Sequence, residues 1–365
     1  MVDIKSSLPY TVINKFQYKG GFFMSVKETV LKVLEENKGL VVSGQRIATE
    51  AGASRAAVWK AISRLREEGH IIEASTNKGY TLSSKSDLLS SDGIHAYCKD
   101  LPKENIFCYK TIDSTNTKAK QIATQGGTKL ALVVSEEQTN GRGRMRRNFF
   151  SPVSSGIYMS LLIKPTFDIS KSILVTTATS VAVCRGISSV LGIDCKIKWV
   201  NDIFFDGRKI GGILTEGITD FETGHVEYIV IGIGINYSTP AQEFPDEIKE
   251  IAGSLLNRNP QNDGESIHLA SRSRNELIGT IITELLVLLS YINESNFLEE
   301  YRSRSLILGQ QVIFSRHFAG NIISETGKAV DIDQEGGLIV LLQDGTTRVI
   351  NSGEVSIRKT DSNYR

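Results

Sequence analysis

A basic, glycine-containing loop follows a short apolar run within a few residues, and this combination limits what the chain can fold into. The run LALVV, residues 130–134, is typical of a buried strand, and NGRGRMRR begins six residues after it. Gly141 and Gly143 allow the backbone to approach a ligand closely. The loop carries four forked cationic side chains suited to phosphate oxygens: Arg142, Arg144, Arg146 and Arg147. We expect this self-repelling loop to order around a polyphosphate, although a solvated or RNA-binding turn is the alternative on the loop alone.

Length and charge limit the class of protein. A chain of 365 residues is too long for one ordinary core, so two or three domains are expected. The net charge of +1 argues against a uniformly basic coat for nucleic acid but permits a locally basic face. The four cysteines have no CxxC spacing, and only five histidines accompany them. A zinc site or a disulfide framework is therefore not expected.

The sequence indicates neither a membrane span nor an export signal. No apolar run is expected to cross a bilayer, since the richest, residues 278–292, is interrupted by Thr280, Thr283 and Glu284. Residues 1–23 lack the parts of a secretory signal, so a cytoplasmic protein without membrane partners is predicted. A purine-rich tract can encode KGGFFM, residues 19–24. We therefore interpret Met24 as the natural start and residues 1–23 as a leader or non-native extension.

Residues 24–82 follow the pattern of a winged helix-turn-helix. Val26, Val30 and Leu34 form one stripe of a first helix, and a second short helix ends at Gly52. A third helix begins after Ser54, and the alternating segment 70–82 predicts a hairpin wing. The second helix of a helix-turn-helix can enter the major groove of DNA.

Four residues are candidate DNA contacts on or beside the third helix: Ser54, Arg55, Lys60 and Arg64. Trp59 is expected to pack against the first helix rather than to contact a base. The alternative is a helical docking module with a solvated face, because three acidic residues offset much of the positive charge: Glu67, Glu68 and Glu73.

Residues 83–103 form a polar segment that is interpreted as a linker. A strand and a helix follow it, with Ser114 and Thr115 at the start of the helix, where hydroxyls and free amides can hold a polar ligand atom. Taken alone, DSTN is also a good helix-capping sequence.

Two further segments predict close approach to a ligand. KWVND and KIGG are predicted to form a hairpin across Asp206 and Gly207, with Lys198 in an apolar strand that calls for an anionic partner. Exposure of that lysine on a solvated sheet is the alternative. GIGIN resembles a dinucleotide fingerprint, but no helix follows Gly234, so redox cofactor binding is disfavoured.

Together these segments resemble the bifunctional biotin protein ligase and biotin operon repressor family. The resemblance rests on motifs in the family's order: SRAAVWKAISRL, DSTN, EEQTNGRGR, KWVND, KIGGILTE, GIGIN and GEVSIR. It extends from Met24 to Arg358. The implied fold is α/β multidomain: a winged helix-turn-helix at 24–82, a linker at 83–103, a mixed-sheet catalytic domain at 104–308 and a small SH3-like β-barrel at 309–365.

The resemblance implies a two-step reaction. Biotin and ATP give biotinyl-5'-adenylate, and biotin then passes to a lysine of a carboxylase carrier domain. Lys198, Arg142 and Arg144 match the family's catalytic residues. Biotin would contact a larger set: Ser114, Thr115, Asn116, Gln138, Gly141, Arg142, Lys198, Gly211, Gly212, Leu214, Gly232 and Gly234.

The nucleotide has its own implied set: Arg142, Arg144, Arg147, Phe149, Asn201, Asp202 and Asn236. Mg²⁺ is expected with the triphosphate, with no metal site assigned to protein side chains. The implied partners are the biotin carboxyl-carrier domain of acetyl-CoA carboxylase, with that of pyruvate carboxylase as a further candidate, operator DNA of biotin genes, and a second copy in a homodimer.

The chain departs from the family pattern at three positions. Arg146 replaces a glycine, Phe149 a tryptophan and Val200 a proline; Val200 is expected to suit a strand. Arg146 is expected to slow ordering of the loop or to speed release of the adenylate. Two other functions remain: a ligand-sensing DNA-binding regulator without catalysis, which the presence of Lys198 disfavours, and a lipoate ligase, which GRGR and KWVND disfavour.

Overall fold

The structure is a computed structural model, and part of the chain is described in it. The described residues are 25–76, 78–83, 86–126, 128–167, 171–220, 222, 225–256, 273–318, 321–351 and 355–357. The expected start at Met24 and the leader 1–23 lie outside the described residues.

The N-terminal unit is the predicted winged helix-turn-helix. It consists of α1 (Val26–Glu36), α2 (Gly44–Glu50), α3 (Arg55–Glu67), β1 (Ile72–Ser75) and β2 (Gly79–Leu82). Ser25 and Glu28 form a reciprocal capping box at the start of α1, and Ser54 caps α3 as predicted. Val30, Leu34, Val58, Ile62 and Leu65 share one buried cluster, which confirms the predicted apolar faces.

The wing depends on one glycine. The β1–β2 hairpin is antiparallel, and Tyr80 exchanges backbone hydrogen bonds with Val42 before α2. Gly79 has φ +137°, and a Cβ atom there would lie 2.0 Å from the carbonyl oxygen of Val42. Only glycine fits this close contact between wing and helices.

The central unit is built on a seven-stranded mixed sheet in the order β3-β4-β5-β9-β8-β7-β6. The strands are β3 (Ile106–Ile112), β4 (Leu130–Gln138), β5 (Gly156–Ile163), β6 (Lys196–Lys198), β7 (Asp202–Phe205), β8 (Arg208–Thr219) and β9 (Val226–Asn236). The β3–β4 pair is parallel and the other pairs are antiparallel. The predicted hairpin across Asp206 and Gly207 is confirmed as β7–β8.

Helices cover both faces of this sheet. They are α4 (Ser91–Tyr97), α5 (Thr115–Gln125), α6 (Ser172–Leu191), α7 (Arg274–Ser290) and α8 (Leu298–Ser303). Val133 and Val230 pack in a cluster with α5, whereas their neighbours Val134 and Ile231 pack in the large cluster with α6 and α7. This alternation follows from the two-residue period of a strand.

The expectation that no apolar segment is long enough to cross a membrane was wrong for α6. Residues Ser172–Leu191 are long and apolar enough by length and composition, but 78% of this apolar stretch is buried inside the protein. The apolar residues of α6 are interspersed with threonines and serines, of which Thr177 and Ser180 are buried, so no unbroken apolar run marks the helix. We interpret α6 as a core helix.

The C-terminal unit consists of antiparallel strands. They are β10 (Gln311–Phe318), β11 (Asn321–Ile332), β12 (Leu338–Leu342), β13 (Thr347–Ile350) and β14 (Val355–Ile357), in the sheet order β13-β12-β11-β10-β14. This is the five-stranded unit predicted as the SH3-like barrel. Trp199 donates from Nε1 to the carbonyl oxygen of Gly336 at 3.0 Å, which joins the unit to the central sheet.

The segment predicted as a polar linker contains α4 and a short 3-10 helix, Lys103–Asn105. A buried arginine at the start of α7 binds this segment to the sheet. The Arg274 guanidinium contacts Asp87 Oδ2 at 2.7 Å, Glu136 Oε2 at 2.8 Å and the carbonyl oxygen of Gly156 at 3.0 Å. Because Arg274 is fully buried, these three partners are needed to hold its charge.

The next residue, Asn275, joins the same helix to the winged helix-turn-helix. It donates to Glu35 Oε1 on α1 at 2.8 Å and to the carbonyl oxygen of Leu88 at 2.9 Å. Burial raises the pKa of Glu35 to about 7, although hydrogen bonds from Asn275 and Ser273 oppose the shift.

The raised pKa of the buried Glu35 carboxyl predicts that the free energy of unfolding depends on pH. A raised carboxyl pKa favours the folded protein below the unfolded pKa of 4.5, and this contribution is lost as the pH rises through about 7. The difference between the folded and unfolded pKa of Glu35 corresponds to about 3 kcal/mol of folding free energy. Glu35→Gln keeps an oxygen that can accept from Asn275, so the variant should melt at a higher temperature than the parent at pH 8 and at a similar temperature at pH 5.

The matched control is Glu36→Gln, on the same helix and paired with Lys32 at 3.8 Å on the surface. It should leave the pH profile of thermal melting unchanged. Identical pH profiles for the parent and Glu35→Gln would contradict the assignment of a raised pKa to this buried carboxyl.

Candidate functional site

A cavity of about 390 Å³ lies between the sheet and the arginine loop. Of the residues implied for biotin or nucleotide, all except Gly141 line it: Ser114, Thr115, Asn116, Gln138, Arg142, Arg144, Arg147, Phe149, Lys198, Asn201, Asp202, Gly211, Gly212, Leu214, Gly232, Gly234 and Asn236. Gly141 is buried beside it, where a Cβ atom would lie 2.5 Å from the carbonyl oxygen of Phe149. The structure thus brings together residues that are far apart in the sequence.

One end of the cavity is formed by the start of α5. Ser114 occupies the N-cap position but makes no capping hydrogen bond, so the simple capping interpretation of DSTN is wrong for this hydroxyl. Thr115 donates to Gln138 Oε1 from its backbone nitrogen at 2.8 Å and from its hydroxyl at 3.0 Å. Gln138 in turn donates to Ser151 Oγ at 2.9 Å. Neutral donors and acceptors therefore dominate this end.

Glycines of β9 form the floor below this end. A Cβ atom on Gly232 would lie 2.2 Å from Asn116 Oδ1, and one on Gly234 would lie 2.5 Å from the ring of Phe149. The side chains of Asn116 and Phe149 therefore lie directly on the sheet. The Phe149 ring also meets Tyr158 edge to face, with ring centres 6.4 Å apart.

The arginine loop folds back on itself. Phe149 donates its backbone N–H to the carbonyl oxygen of Gly141 at 2.9 Å, and Gly143 donates to that of Arg147 at 2.7 Å. Arg144 donates from Nη1 to Asn201 Oδ1 at 3.1 Å, which joins the loop to the turn after β6. Arg142, Arg144 and Arg147 of the loop thereby line the cavity.

Lys198 ends β6, and its side chain lines the cavity. Among the described residues, no carboxylate lies within ion-pair distance of it. The strand is shorter than expected, because residues 199 and 200 form a turn before β7. The expectation that Val200 suits a strand was therefore wrong, and the Trp199–Val200 peptide bond is cis.

Lys209 is a cavity residue that the sequence analysis missed. Its ammonium group lies 2.6 Å from Asp202 Oδ1, and Asp202 is the one carboxylate in the described wall of the cavity. The signal was present, since Lys209 directly precedes the IGG segment. Among the described residues, no cluster of three or more histidine, cysteine, aspartate or glutamate side chains could hold a metal ion.

The third helix of the N-terminal unit presents a separate exposed face. Arg55, Lys60 and Arg64 are exposed, and Arg55 donates to Gln45 Oε1 at 3.0 Å. Trp59 lies among them with 61% of its surface exposed, so the expectation that it packs against α1 was wrong. Its helical position places it five residues after the Ser54 cap, whereas Val58 and Ile62 take the buried positions.

Family models match three parts of the chain. Residues 108–236 match the biotin/lipoate A/B protein ligase family, residues 26–81 match a helix-turn-helix domain, and residues 307–358 match the biotin protein ligase C-terminal domain. A bifunctional ligase/repressor BirA of Bacillus spizizenii is 32% identical over 332 residues, covering 90% of this chain and 98% of that protein. The chain belongs to the biotin protein ligase family.

Other relatives agree with this assignment. The bifunctional ligase/repressor BirA of Escherichia coli is 28% identical over 332 residues, with 87% of this chain and 94% of that protein covered. A solved biotin protein ligase from Aquifex aeolicus, in complex with biotin and ATP, is 26% identical with a TM-score of 0.53. It covers 70% of this chain and is itself covered completely. The suspected family and fold class are thereby confirmed.

Proposed function

We propose that this family member is an ATP-dependent biotin protein ligase that also acts as a biotin-responsive transcriptional repressor. The observation that carries the ligase function is the cavity itself. Lys198 and the arginine loop lie at the cationic part of the cavity, and the neutral Thr115–Gln138 hydrogen bonds lie at the start of α5. A ligand with a neutral polar head and a carboxylate that meets a nucleotide phosphate satisfies both parts.

In the proposed binding mode, the biotin head group lies at the Ser114–Thr115–Gln138 end. Asn116, Gly232 and Leu214 line the same part of the cavity. The biotin carboxylate then extends toward Lys198, where Arg142 and Arg144 meet the phosphates. Phe149 covers the apolar surface of the ligand, and Asn236 with Arg147 supports the nucleotide.

In the first step, a biotin carboxylate oxygen attacks the α-phosphorus of ATP. The bond to the bridging oxygen breaks, and pyrophosphate leaves with its electron pair. The cationic groups of Lys198, Arg142 and Arg144 reduce repulsion between the two anions and stabilise the charge that develops in the transition state. No proton transfer is needed, because the carboxylate is already ionised.

In the second step, the amine of a carrier lysine attacks the carbonyl carbon of the adenylate. The carbon–oxygen bond to AMP breaks, and an amide forms with loss of one proton. The proposed acceptors are the biotin carboxyl-carrier domains of acetyl-CoA carboxylase and pyruvate carboxylase. No covalent enzyme intermediate is required.

Mg²⁺ is proposed as the companion of the triphosphate. The donors in the cavity fit such an ion modestly: Asp202 offers one carboxylate and Asn201 one amide oxygen, both beside the arginine loop. Mg²⁺ usually keeps several waters and binds one or two carboxylates together with phosphate oxygens. When bound, the ion would neutralise part of the triphosphate charge.

The repressor function is proposed for residues 24–82, with the adenylate as corepressor. Ser54, Arg55, Lys60 and Arg64 would contact operator DNA of biotin genes, and a homodimer would match two half-sites. The linker 83–103 joins this unit to the catalytic domain at 104–308 and the C-terminal unit at 309–365. The proposed compartment is the cytoplasm. The exposure of α3 and the helix-turn-helix match support this proposal.

The ligase function predicts a covalent product. A carrier domain incubated with the protein, ATP, Mg²⁺ and biotin should gain the mass of one biotinyl group, detected by mass spectrometry. Lys198→Ala should lower the rate by about 100-fold or more, because a cation beside the reacting phosphate is removed. Lys196→Ala, on the same strand but paired with Asp194 at 3.6 Å, should retain the parent rate.

A mass gain from lipoate in place of biotin would instead support a lipoate ligase, which belongs to the same matched family model. No gain with either acid would support a DNA-binding sensor without catalysis.

The repressor function predicts binding to the promoter of the protein's own biotin genes that weakens with salt and strengthens with adenylate. Arg64→Ala should reduce the slope of log K against log salt by about 1 if it contacts one phosphate. Lys164→Ala, on the catalytic domain and paired with Glu227 at 3.1 Å, serves as the control. Affinity that does not respond to adenylate would contradict the switch.

The backbone conformation at Arg146 predicts that this residue affects how long the adenylate stays bound. Met145 and Arg146 have φ values of 53° and 60°, a left-handed conformation that costs non-glycine residues about 1 kcal/mol. Arg146→Gly should relieve this strain and lengthen the half-life of bound adenylate by roughly fivefold, the equivalent of that energy. Release of radiolabelled adenylate measures it, and an unchanged half-life would contradict the role given to Arg146.

A further inference from the structure

The amide of Asn116 is held on both sides behind the neutral end of the cavity. Its Nδ2 donates to Glu216 Oε2 at 2.7 Å, and its Oδ1 accepts from Ser160 Oγ at 2.6 Å. Asn116 is 4% exposed and Ser160 is fully buried. The Ser160 contact therefore forms away from water, where a misplaced donor or acceptor is costly, whereas Glu216 is partly buried with 26% of its side chain exposed.

Glu216 determines which way this amide faces. An ionised carboxylate can only accept hydrogen bonds, so the NH₂ group of Asn116 must point toward it and the amide oxygen must point toward Ser160. A flipped amide would place its oxygen against the carboxylate. Asn116 also lies directly on Gly232, where a Cβ atom would meet Oδ1 at 2.2 Å, so the side chain cannot move toward the sheet.

Lys120 keeps Glu216 charged and in place. It follows Asn116 by one helical turn on α5, and its Nζ lies 2.7 Å from Glu216 Oε1. Burial alone would raise the pKa of Glu216. Hydrogen bonds from Lys120 and Asn116, together with the charges of Lys120 and Arg142, outweigh it and hold that pKa below its usual value. Glu216 is thus ionised at neutral pH.

The orientation of the Asn116 amide determines where the hydroxyl protons of Ser160 and Thr115 can point. Ser160 Oγ gives its one proton to Asn116 Oδ1 at 2.6 Å, so it can only accept across its 2.7 Å contact with Thr115 Oγ1. The single hydroxyl proton of Thr115 is then taken by Ser160 Oγ or by Gln138 Oε1 at 3.0 Å. In either case Thr115 Oγ1 presents a lone pair rather than a proton to a ligand in the cavity, which suits an N–H donor.

We propose that Glu216, supported by Lys120, is a positioning residue that orients Asn116, Ser160 and Thr115 for the N–H groups of the biotin head. The inference rests on the proposed function of the cavity. Neither Glu216 nor Lys120 lines the cavity, so they act through Asn116 rather than by touching the ligand. Their effect should fall on biotin, since the hydrogen bonds of Glu216 run to Asn116 and Lys120 and not to any proposed nucleotide contact.

The test measures adenylate formation with each substrate varied in turn. Glu216→Ala should raise the KM for biotin by about tenfold, the scale of one hydrogen bond to a charged group, with kcat and the KM for ATP within about twofold of the parent. Glu216→Gln retains an oxygen that can accept from Asn116 and should restore most of the loss. Lys120→Ala should raise the KM for biotin by a smaller factor.

The control is Glu227→Ala on the adjacent strand β9, whose carboxylate pairs with Lys164 on the surface. It should leave both KM values unchanged. Equal rises in both KM values with a lower melting temperature would assign Glu216 a structural role and overturn the inference, as would an unchanged KM for biotin. Failure of the parent protein to use biotin would instead overturn the proposed function.

Discussion

The site depends on an excess of positive charge around one cavity. Lys198, Arg142 and Arg144 line it, and Asp202, the one carboxylate in its described wall, is already paired with Lys209 at 2.6 Å. Groups of like charge around one cavity are stabilised by an anion bound between them. The short β6 strand, the turn that follows it and the folded-back loop all serve to hold these cations at one place.

The same sheet connects the cavity to the winged helix-turn-helix. β4 carries Glu136 and, two residues later, Gln138; the first contacts Arg274 and the second contacts Thr115 in the cavity. Arg274 and Asn275 together reach the linker and Glu35 on α1. Buried polar contacts therefore connect strand β4, which carries Gln138, to the DNA-binding unit.

The sequence predicted most elements because local signals agree with the fold. Ser54 at a helix start, the alternation of residues 70–82 in the wing and the turn at Asp206 and Gly207 each predict the element that forms. Prediction from the sequence failed where tertiary contacts determine the position of a residue. Trp59 is exposed although it is large and apolar, and Val200 lies in a turn despite its strand propensity. Glu216 and Arg274 were missed because their partners, Asn116 and Asp87, come from distant parts of the chain and no local pattern marks such pairs. Lys209 was missed although it lies directly before the IGG segment, close in sequence to its partner Asp202.

Biotin-dependent exchange of labelled pyrophosphate into ATP isolates the first step at the cationic cavity from both the carrier domain and DNA. We expect exchange that requires biotin and is not supported by lipoate. Exchange without added biotin, or no exchange with saturating biotin and Mg²⁺-ATP, would contradict this expectation.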